Sequence, residues 1–566
     1  MEYSELERLL SLNLEGEMEK LDELLAFVKG EVKDYNRAEG VVSIEMKDTN
    51  RPDLWSVEGL ARGLHTYQGY AKGSKKYKVG RSIVDVHVDP RLKDIRPFIG
   101  CAVVKNVELT NAVIRGLMHL QDKLDQTFGR SRQKTSIGIY DFDLIKVPLK
   151  YSVAKPENVS FVPLGFAEKM TLGEILERVP KGIEYGHIVK KHSVYPILMD
   201  SEDKILSFPP IINSNDLGHV SELTRNVLVE VTGTAHETVL DSLKLVTLAL
   251  IDHGGEPFGA TVEYTPRKLR EVTPDFSEKR VNLVVAYVNR VLGLPLTGKR
   301  IAKLLGKAGF GVSKVDAKKV SVLVPCYRID VMHQIDLVED VAIAYGYNNI
   351  EAVWRELPTT GCSRPEQRIL DRTRELMVGL GFQEILTNSL TNPESLLDRM
   401  NLDAKDPADA QKVQIVEISN PKVGTMTCLR NWLLPSLLEF LGNNQSVEFP
   451  QKVFELGNVT LFDESRETRT RDEEWLAAAV SHATASFSEI KSTLDSLFTN
   501  LGLNWKITAT SHPSFVDGRV GEASVNGVCV GVLGEVNPKV LVTWNLENPT
   551  VALELNVRKL LDLNLV

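Results

Sequence analysis

The densest group of chemically capable side chains lies in RIDVMHQIDLVEDVAIAYGYNNI (328–350), which carries Asp330, Asp336, Glu339 and Asp340. A helix from about Met332 to Tyr345, stopped by Gly346, sets Val338, Val341, Ala342 and Tyr345 on one apolar face. Asp336, Glu339 and Asp340 then gather opposite at i, i+3 and i+4 spacing, and Asp330 turns in toward them from just upstream. Like charges this close repel. Salt, a basic partner or a hard divalent cation such as Mg²⁺ relieves the repulsion, and oxygen-only ligands on a rigid element suit that cation. On spacing alone, a solvated acidic face and a cation site both stand.

Basic residues collect in two places: Arg130, Arg132 and Lys134, and the helical set Lys299, Arg300, Lys303 and Lys307. The second set spans one face at the spacing that phosphate contacts require, and a solvated helix face has the same pattern. Neither is interleaved with aromatics as a base-stacking surface would be. There is no GxxxxGK[ST] loop, no CxxC pair among the five dispersed cysteines, and no Ser-His-Asp arrangement pointing to a covalent route.

The elements that must hold these groups read as α+β. A chain of 566 residues implies about three or four domains. Its 43% hydrophobic and 25% charged content are those of a globular protein. The net charge of −9 means that a nucleic acid would be met by local patches. The N-terminus lacks the pattern of a signal peptide, and the apolar run LVTLALI (245–251) is too short to span a bilayer. Dispersed cysteines fit a reducing cytosol, so a cytoplasmic location is expected. Strands are expected at 41–46, 83–88, 99–109, 136–143, 205–213, 227–233 and 321–325. Helices are expected from Ser56 as N-cap, over 111–128 and 236–253, and over 281–292 and 298–308 around a GLPLT break. Beyond 355 a long helix, QRILDRTRELMVGLG, precedes strand-rich sequence including VFELGNVTLF and VCVGVLGEV; DAKDPADAQ (403–411) reads as a polar loop.

Several stretches taken together resemble the β subunit of phenylalanyl-tRNA synthetase in its shorter archaeal and eukaryotic-type form. They are DTNRPDLWSVEGLARGL (48–64), SIGIYDFD (136–143), LSFPPIINS (206–214) with TRNVLVEVTGT (224–234), residues 328–350, and LRNWLLPSLLEFLGNNQ (429–445) with FELG (454–457). They occur in the family's order over nearly the whole chain, which leaves no sequence for the extra domains of the longer bacterial form. The resemblance implies an N-terminal α+β domain (1–80), a mixed α/β editing domain (81–268) and a helix-turn-helix-like tRNA-binding domain with a Mg²⁺ site (269–352). A class II synthetase-like antiparallel sheet domain without catalytic motifs (353–566) completes the chain. It implies an α₂β₂ heterotetramer in which the α subunit binds phenylalanine and ATP and the tRNA is tRNA(Phe). In this family, carboxylates matching Asp330, Asp336, Glu339 and Asp340 form a magnesium site near the subunit junction, here expected to be structural.

Two features bear on those implications. Class II enzymes hold ATP with arginines in fRxE-like and GxGxxR-like motifs; the matching strand here reads Phe454-Glu455-Leu456-Gly457, and the C-terminal stretch has no glycine-rich Arg motif. Arg430 alone reads as a helix-start or interface residue. A phenylalanine site rejects tyrosine by only about 10², so a second pocket must hydrolyse Tyr-tRNA and bind the extra hydroxyl. Within the region that the resemblance assigns to editing, Pro209-Pro210 presents Asn213 and Ser214 at a strand end. Asn213 would bind the ester or orient water; Glu230 or His187 would bind the phenol or act as base. A stand-alone aminoacyl-tRNA deacylase and a helix-turn-helix nucleic-acid-binding protein are the rival readings.

Overall fold

A computed structural model describes the chain apart from residues 13–17, 70–72, 265–268, 355, 357–358, 403–413 and 564–566, so the polar loop at 403–411 lies outside the described residues. The chain forms two compact units, Met1–Val353 and Trp354–Val566. No helix among the described residues is long and apolar enough to cross a membrane.

The first unit begins with helices Tyr3–Leu10, Met18–Leu25 and Val57–Gln68 packed on Leu6, Leu10, Leu21, Leu60 and Leu64. Ser56 caps the third helix, its Oγ accepting from the Gly59 N–H. The hairpin Gly30–Asn36 with Val41–Met46 contains a strand that the sequence pattern hid, because GEVKDYN carries charges where an apolar alternation would signal it.

A ten-stranded mixed sheet follows. Its order is Ile212–Asn213, Ile205–Phe208, Tyr195–Met199, Leu149–Ala154, Gly80–Val88, Glu256–Tyr264, Phe98–Lys105, Val227–Gly233 and Thr135–Asp141, with Leu269–Thr273 added to Glu256–Tyr264. Gly80–Val88 runs parallel to both its neighbours, and the other pairings are antiparallel. Helices Asn111–Lys123 and His236–Asp252 cover one face through Val113, Leu117, Leu120, Leu243 and Val246. The helix expected over 111–128 changes character at its end, Leu124–Phe128 widening into a π turn.

The unit closes with a three-stranded sheet, Lys279–Val284, Lys319–Val324 and Gly311–Val315, under helices Val285–Leu292, Gly298–Lys307 and Gln334–Tyr345. The helix expected over 281–292 starts only at Val285. Residues Lys279–Val284 form a strand instead, burying Leu283 while Asn282 points out, the period of two that a β-branched run favours.

In the second unit a seven-stranded sheet is ordered Gln383–Glu384, Gln451–Phe462, Thr470–Ser481, Thr550–Asn556, Val528–Val536, Phe515–Val525 and Trp505–Ala509. It is antiparallel except for the short edge pair Gln383–Glu384 with Gln451–Phe462. Thr550–Asn556 is buried along its whole length, as a strand covered on both faces must be. Helices Pro365–Gly379 and Phe487–Asn500 cover one face, and Leu434–Asn443 the other.

Candidate functional site

The ten-stranded sheet places Glu230 in the middle of Val227–Gly233, opposite Gly138 of Thr135–Asp141. A side chain at position 138 would run into the Tyr140 hydroxyl, and its Cβ would lie 2.6 Å from Glu230 Oε2. Glycine therefore opens the gap across which the fully buried Tyr140 reaches: its hydroxyl donates to Glu230 Oε2 at 2.8 Å and stands 3.4 Å from Asn213 Oδ1. Glu230 is buried, and its Oε1 has no hydrogen-bond partner among the described residues. Burial pushes its carboxyl up to about 7, against the opposing pull of Tyr140, Arg96 and Thr232.

Glu230 lines a cavity of about 600 Å³, walled by Ile114, Leu117 and Met118 of the covering helix, Ile137 and Ile139 of the sheet, and the segment Phe208–Asn213. Two buried arginines hold this cavity in shape. Arg132 Nη1 donates to the carbonyls of Pro210 and Ile211 at 3.1 and 3.0 Å, and its Nε lies 3.1 Å from Asp125 Oδ2. Arg96 donates to Thr232 Oγ1 (3.0 Å) and O (2.7 Å), to Ser136 Oγ (2.9 Å) and to the Arg132 carbonyl (3.0 Å).

The structure sorts the residues expected here. Asn213 lines the cavity, half-buried, at the strand end where the sequence puts it. Glu230 lies in the same lining as a buried carboxylate. Ser214 is corrected to a turn residue: its backbone N–H donates to Leu206 O, its Oγ accepts from the Leu217 N–H, and it does not line the cavity. His187 is likewise displaced; it is exposed, its Nδ1 lies 3.0 Å from Glu184 O, and it is not part of the lining. Arg132 faces inward, so of the first basic group only Arg130 is exposed and Lys134 half-exposed. The sequence reading missed Tyr140, Arg96 and Arg132. The signal that would have found Tyr140 is the i, i+2 pair Gly138–Tyr140 beside an otherwise apolar strand bearing one carboxylate.

The acidic cluster differs from its helical-wheel picture. Asp340 is 4% exposed, because Arg328 draws it inward. The Arg328 guanidinium holds Asp330 at 2.9 and 2.8 Å and Asp340 at 3.2 and 2.7 Å. Glu339 pairs with Lys29 at 2.7 Å and accepts from the Tyr347 hydroxyl at 2.9 Å. Asp336 accepts from the backbone N–H groups of Met332 (2.8 Å) and His333 (2.6 Å), securing the start of the helix. Burial raises Asp330, but the bonds to Arg328 outweigh it and hold the carboxyl below the usual range; for Asp340 burial prevails and the carboxyl is raised. All four, with Asp48, line one cavity of about 250 Å³ that also contains Lys29, Arg51 and Arg328. Fully ionised, those five carboxylates exceed the three cations by two charges, so the hard oxygen donors and the net charge suit a divalent cation. The shell itself is not preformed: no three Asp, Glu, His or Cys side chains among the described residues converge on one point.

In the second unit Arg430 is a core residue rather than a helix start. Buried with Glu455, it meets Oε1 at 2.8 Å and donates to Thr387 Oγ1 (2.7 Å) and Asn458 O (3.0 Å). Glu554 is also fully buried, accepting from the Leu433 N–H at 2.5 Å, and burial pushes its carboxyl up to about 8. On the Gly298–Lys307 helix, Lys299, Arg300, Lys303 and Lys307 are all exposed.

Two family models match. Residues 281–347 fit the tRNA synthetase B5 domain and residues 350–557 the phenylalanyl tRNA synthetase beta chain CLM domain, which makes the chain an aminoacyl-tRNA synthetase component by its modules. The Phenylalanine–tRNA ligase beta subunit of Pyrococcus abyssi is 43% identical over 98% of both chains. That of Thermococcus kodakarensis is 41% identical over 97% of this chain and 96% of its own. An N-terminal fragment of the Pyrococcus horikoshii phenylalanyl-tRNA synthetase β subunit, solved by crystallography, superimposes with a TM-score of 0.59 at 41% identity, covering 61% of this chain and 98% of the fragment. The chain belongs to the phenylalanine–tRNA ligase beta subunit family.

Proposed function

We propose that this chain works with a phenylalanyl-tRNA synthetase α subunit, as α₂β₂ in the cytoplasm, in the ATP-dependent attachment of phenylalanine to tRNA(Phe), and that its first unit hydrolyses mischarged Tyr-tRNA(Phe). The observation that carries the editing reading is Glu230, a buried carboxylate lining a 600 Å³ cavity, whose Oε1 has no hydrogen-bond partner among the described residues. A tyrosine phenol donates to that oxygen. Phenylalanine leaves it unpaired in a desolvated site, and a site of this kind rejects the analogue lacking the hydroxyl far more strongly than an apolar pocket rejects an added one. Asn213 presents an amide at the same cavity, where it orients water on the ester carbonyl; no covalent step is needed.

Ligation chemistry belongs to the α subunit, which binds phenylalanine and ATP. The inward-facing ion pair of Arg430 with Glu455 supports this, since that guanidinium is not free to meet a phosphate. The exposed Lys299, Arg300, Lys303 and Lys307 face makes the phosphate contacts to tRNA. Asp330, Asp336, Glu339 and Asp340 would hold Mg²⁺, which would supply the missing positive charge of their cavity and stiffen the joint to Lys29 and Arg51. Co-expression with the cognate α subunit, followed by phenylalanine charging and Tyr-tRNA(Phe) deacylation, tests the proposal. Asn213→Ala is expected to lower deacylation about tenfold or more at unchanged charging. Failure to co-purify with α, or deacylation by the free chain alone at the full rate, refutes the assembly. Undiminished hydrolysis in the variant removes Asn213 from the chemistry.

A further inference from the structure

We infer that Tyr140 is a positioning residue that sets the side-chain choice of the cavity: its phenol holds one oxygen of Glu230 so that only the other faces an incoming hydroxyl. The inference rests on the proposed Tyr-tRNA hydrolysis.

The geometry is local and closed. Tyr140 is fully buried and passes over Gly138 to place its hydroxyl 2.8 Å from Glu230 Oε2. The single phenolic proton goes to that carboxylate oxygen rather than to Asn213 Oδ1, which stands farther away at 3.4 Å. A carboxylate left alone turns about its last torsion and offers either oxygen. Held at Oε2, Glu230 offers Oε1, the atom left without a partner among the described residues. The protein thus supplies one phenol to this carboxylate and leaves the acceptor capacity of the other oxygen to the phenol that the substrate brings. The other titratable groups that act on Glu230 are Arg96 and Cys101 on its sheet neighbour's side, and Asp125 and Tyr151 farther off. The Tyr140 bond works with Arg96 to keep the carboxyl from rising further, while Tyr140 itself is raised well above its ordinary value by burial and so stays a donor.

The test uses the α/β complex carrying Tyr140→Phe, which keeps the ring and removes the hydroxyl. KM for Tyr-tRNA(Phe) deacylation is expected to rise about tenfold with kcat nearly unchanged. The acid limb of kcat/KM moves to higher pH, and the slow deacylation of Phe-tRNA(Phe) stays as it was. Incorporation of 3,5-difluorotyrosine at position 140, a stronger donor of the same shape, is expected to move the limb the opposite way. An unshifted limb in both proteins overturns the inference, as does an equal loss on Tyr- and Phe-tRNA, which marks packing alone. Those results leave the hydrolysis itself standing. No deacylation of Tyr-tRNA by the unsubstituted complex removes both readings together.

Discussion

Replacing Glu230 with glutamine removes charge while keeping shape, and its consequence can be worked through. The amide oxygen must stay with the Tyr140 hydroxyl, which otherwise loses its 2.8 Å acceptor. The amide nitrogen then takes the place of Oε1 in the cavity and presents a donor where the phenol needs an acceptor. The phenol can still accept from it, so a charge-assisted bond becomes a neutral one. Bonds to charged groups contribute about 1.5–3 kcal/mol and neutral ones about 0.5–1.5. The difference, about 1–2 kcal/mol, is about five- to thirtyfold in kcat/KM. Single-turnover deacylation of Tyr-tRNA(Phe) and Phe-tRNA(Phe) by the α/β complex should therefore show that loss for tyrosine alone. The pH dependence supplies a second reading. With a carboxyl near 7, the unsubstituted site accepts from the phenol above that pH and becomes protonated below it, so tyrosine selectivity falls between pH 8 and pH 6. The glutamine protein should be flat over that range. Equal losses on both substrates, or a pH dependence that survives the substitution, would refute the assignment of Glu230 as reader of the hydroxyl.

Arg328→Ala leaves Asp340 buried without its guanidinium partner and Asp330 with only Arg51, 3.7 Å away, and should lower stability by about 3–5 kcal/mol in urea unfolding; restoring neutrality with Asp330→Asn and Asp340→Asn should recover part of the loss, and a change below about 1 kcal/mol would show that the pair is not holding the joint. Glu554 has a folded-state carboxyl raised to about 8, so the folded protein binds its proton more tightly than the unfolded chain. That contribution is complete below the unfolded value and is lost as pH rises toward 8, so Glu554→Gln should stabilise relative to the parent by about 2 kcal/mol more at pH 8 than at pH 6. Calorimetric scans at the two pH values measure it, and a constant difference would contradict the sign. Asp336→Ala with Glu339→Ala should abolish any Mg²⁺-dependent rise in the thermal midpoint of the α/β complex, while Tyr-tRNA deacylation persists; an identical magnesium response in the double variant would exclude these carboxylates as ligands.

Strong local signals made several elements readable from sequence. The cap at Ser56, the stop at Gly346 and the helix expected over 236–253 all lie where pattern and propensity agree. The candidate site was legible in outline, since Asn213 and Glu230 come together in one cavity although the strands bearing them are far apart in sequence. What escaped depends on partners distant in sequence. Asp340 belongs to an apparently wet helix face until Arg328 folds back against it, and a helical wheel cannot contain a residue outside the helix. Arg132 sits in a basic run that looks solvated; only the carbonyls of Pro210 and Ile211 reveal its inward direction. His187 and Ser214 show the converse case, since residue type suggested chemistry while each makes a turn bond outside the cavity lining.

The pair formed by Arg430 and Glu455 also constrains what this lineage can become. A Cβ on Gly457 would stand 2.7 Å from Arg430 Nη2 and 3.0 Å from Glu455 Oε1. Writing an fRxE pattern into this strand means Glu455→Arg together with Gly457→Glu. The first change sets two guanidinium groups against each other in the core, and the second drives a side chain into them. Each step is unfavourable before any benefit to nucleotide binding can appear. The pair acts as a ratchet: once the fold leans on it, an arginine that could grip a nucleotide becomes hard to install at this strand.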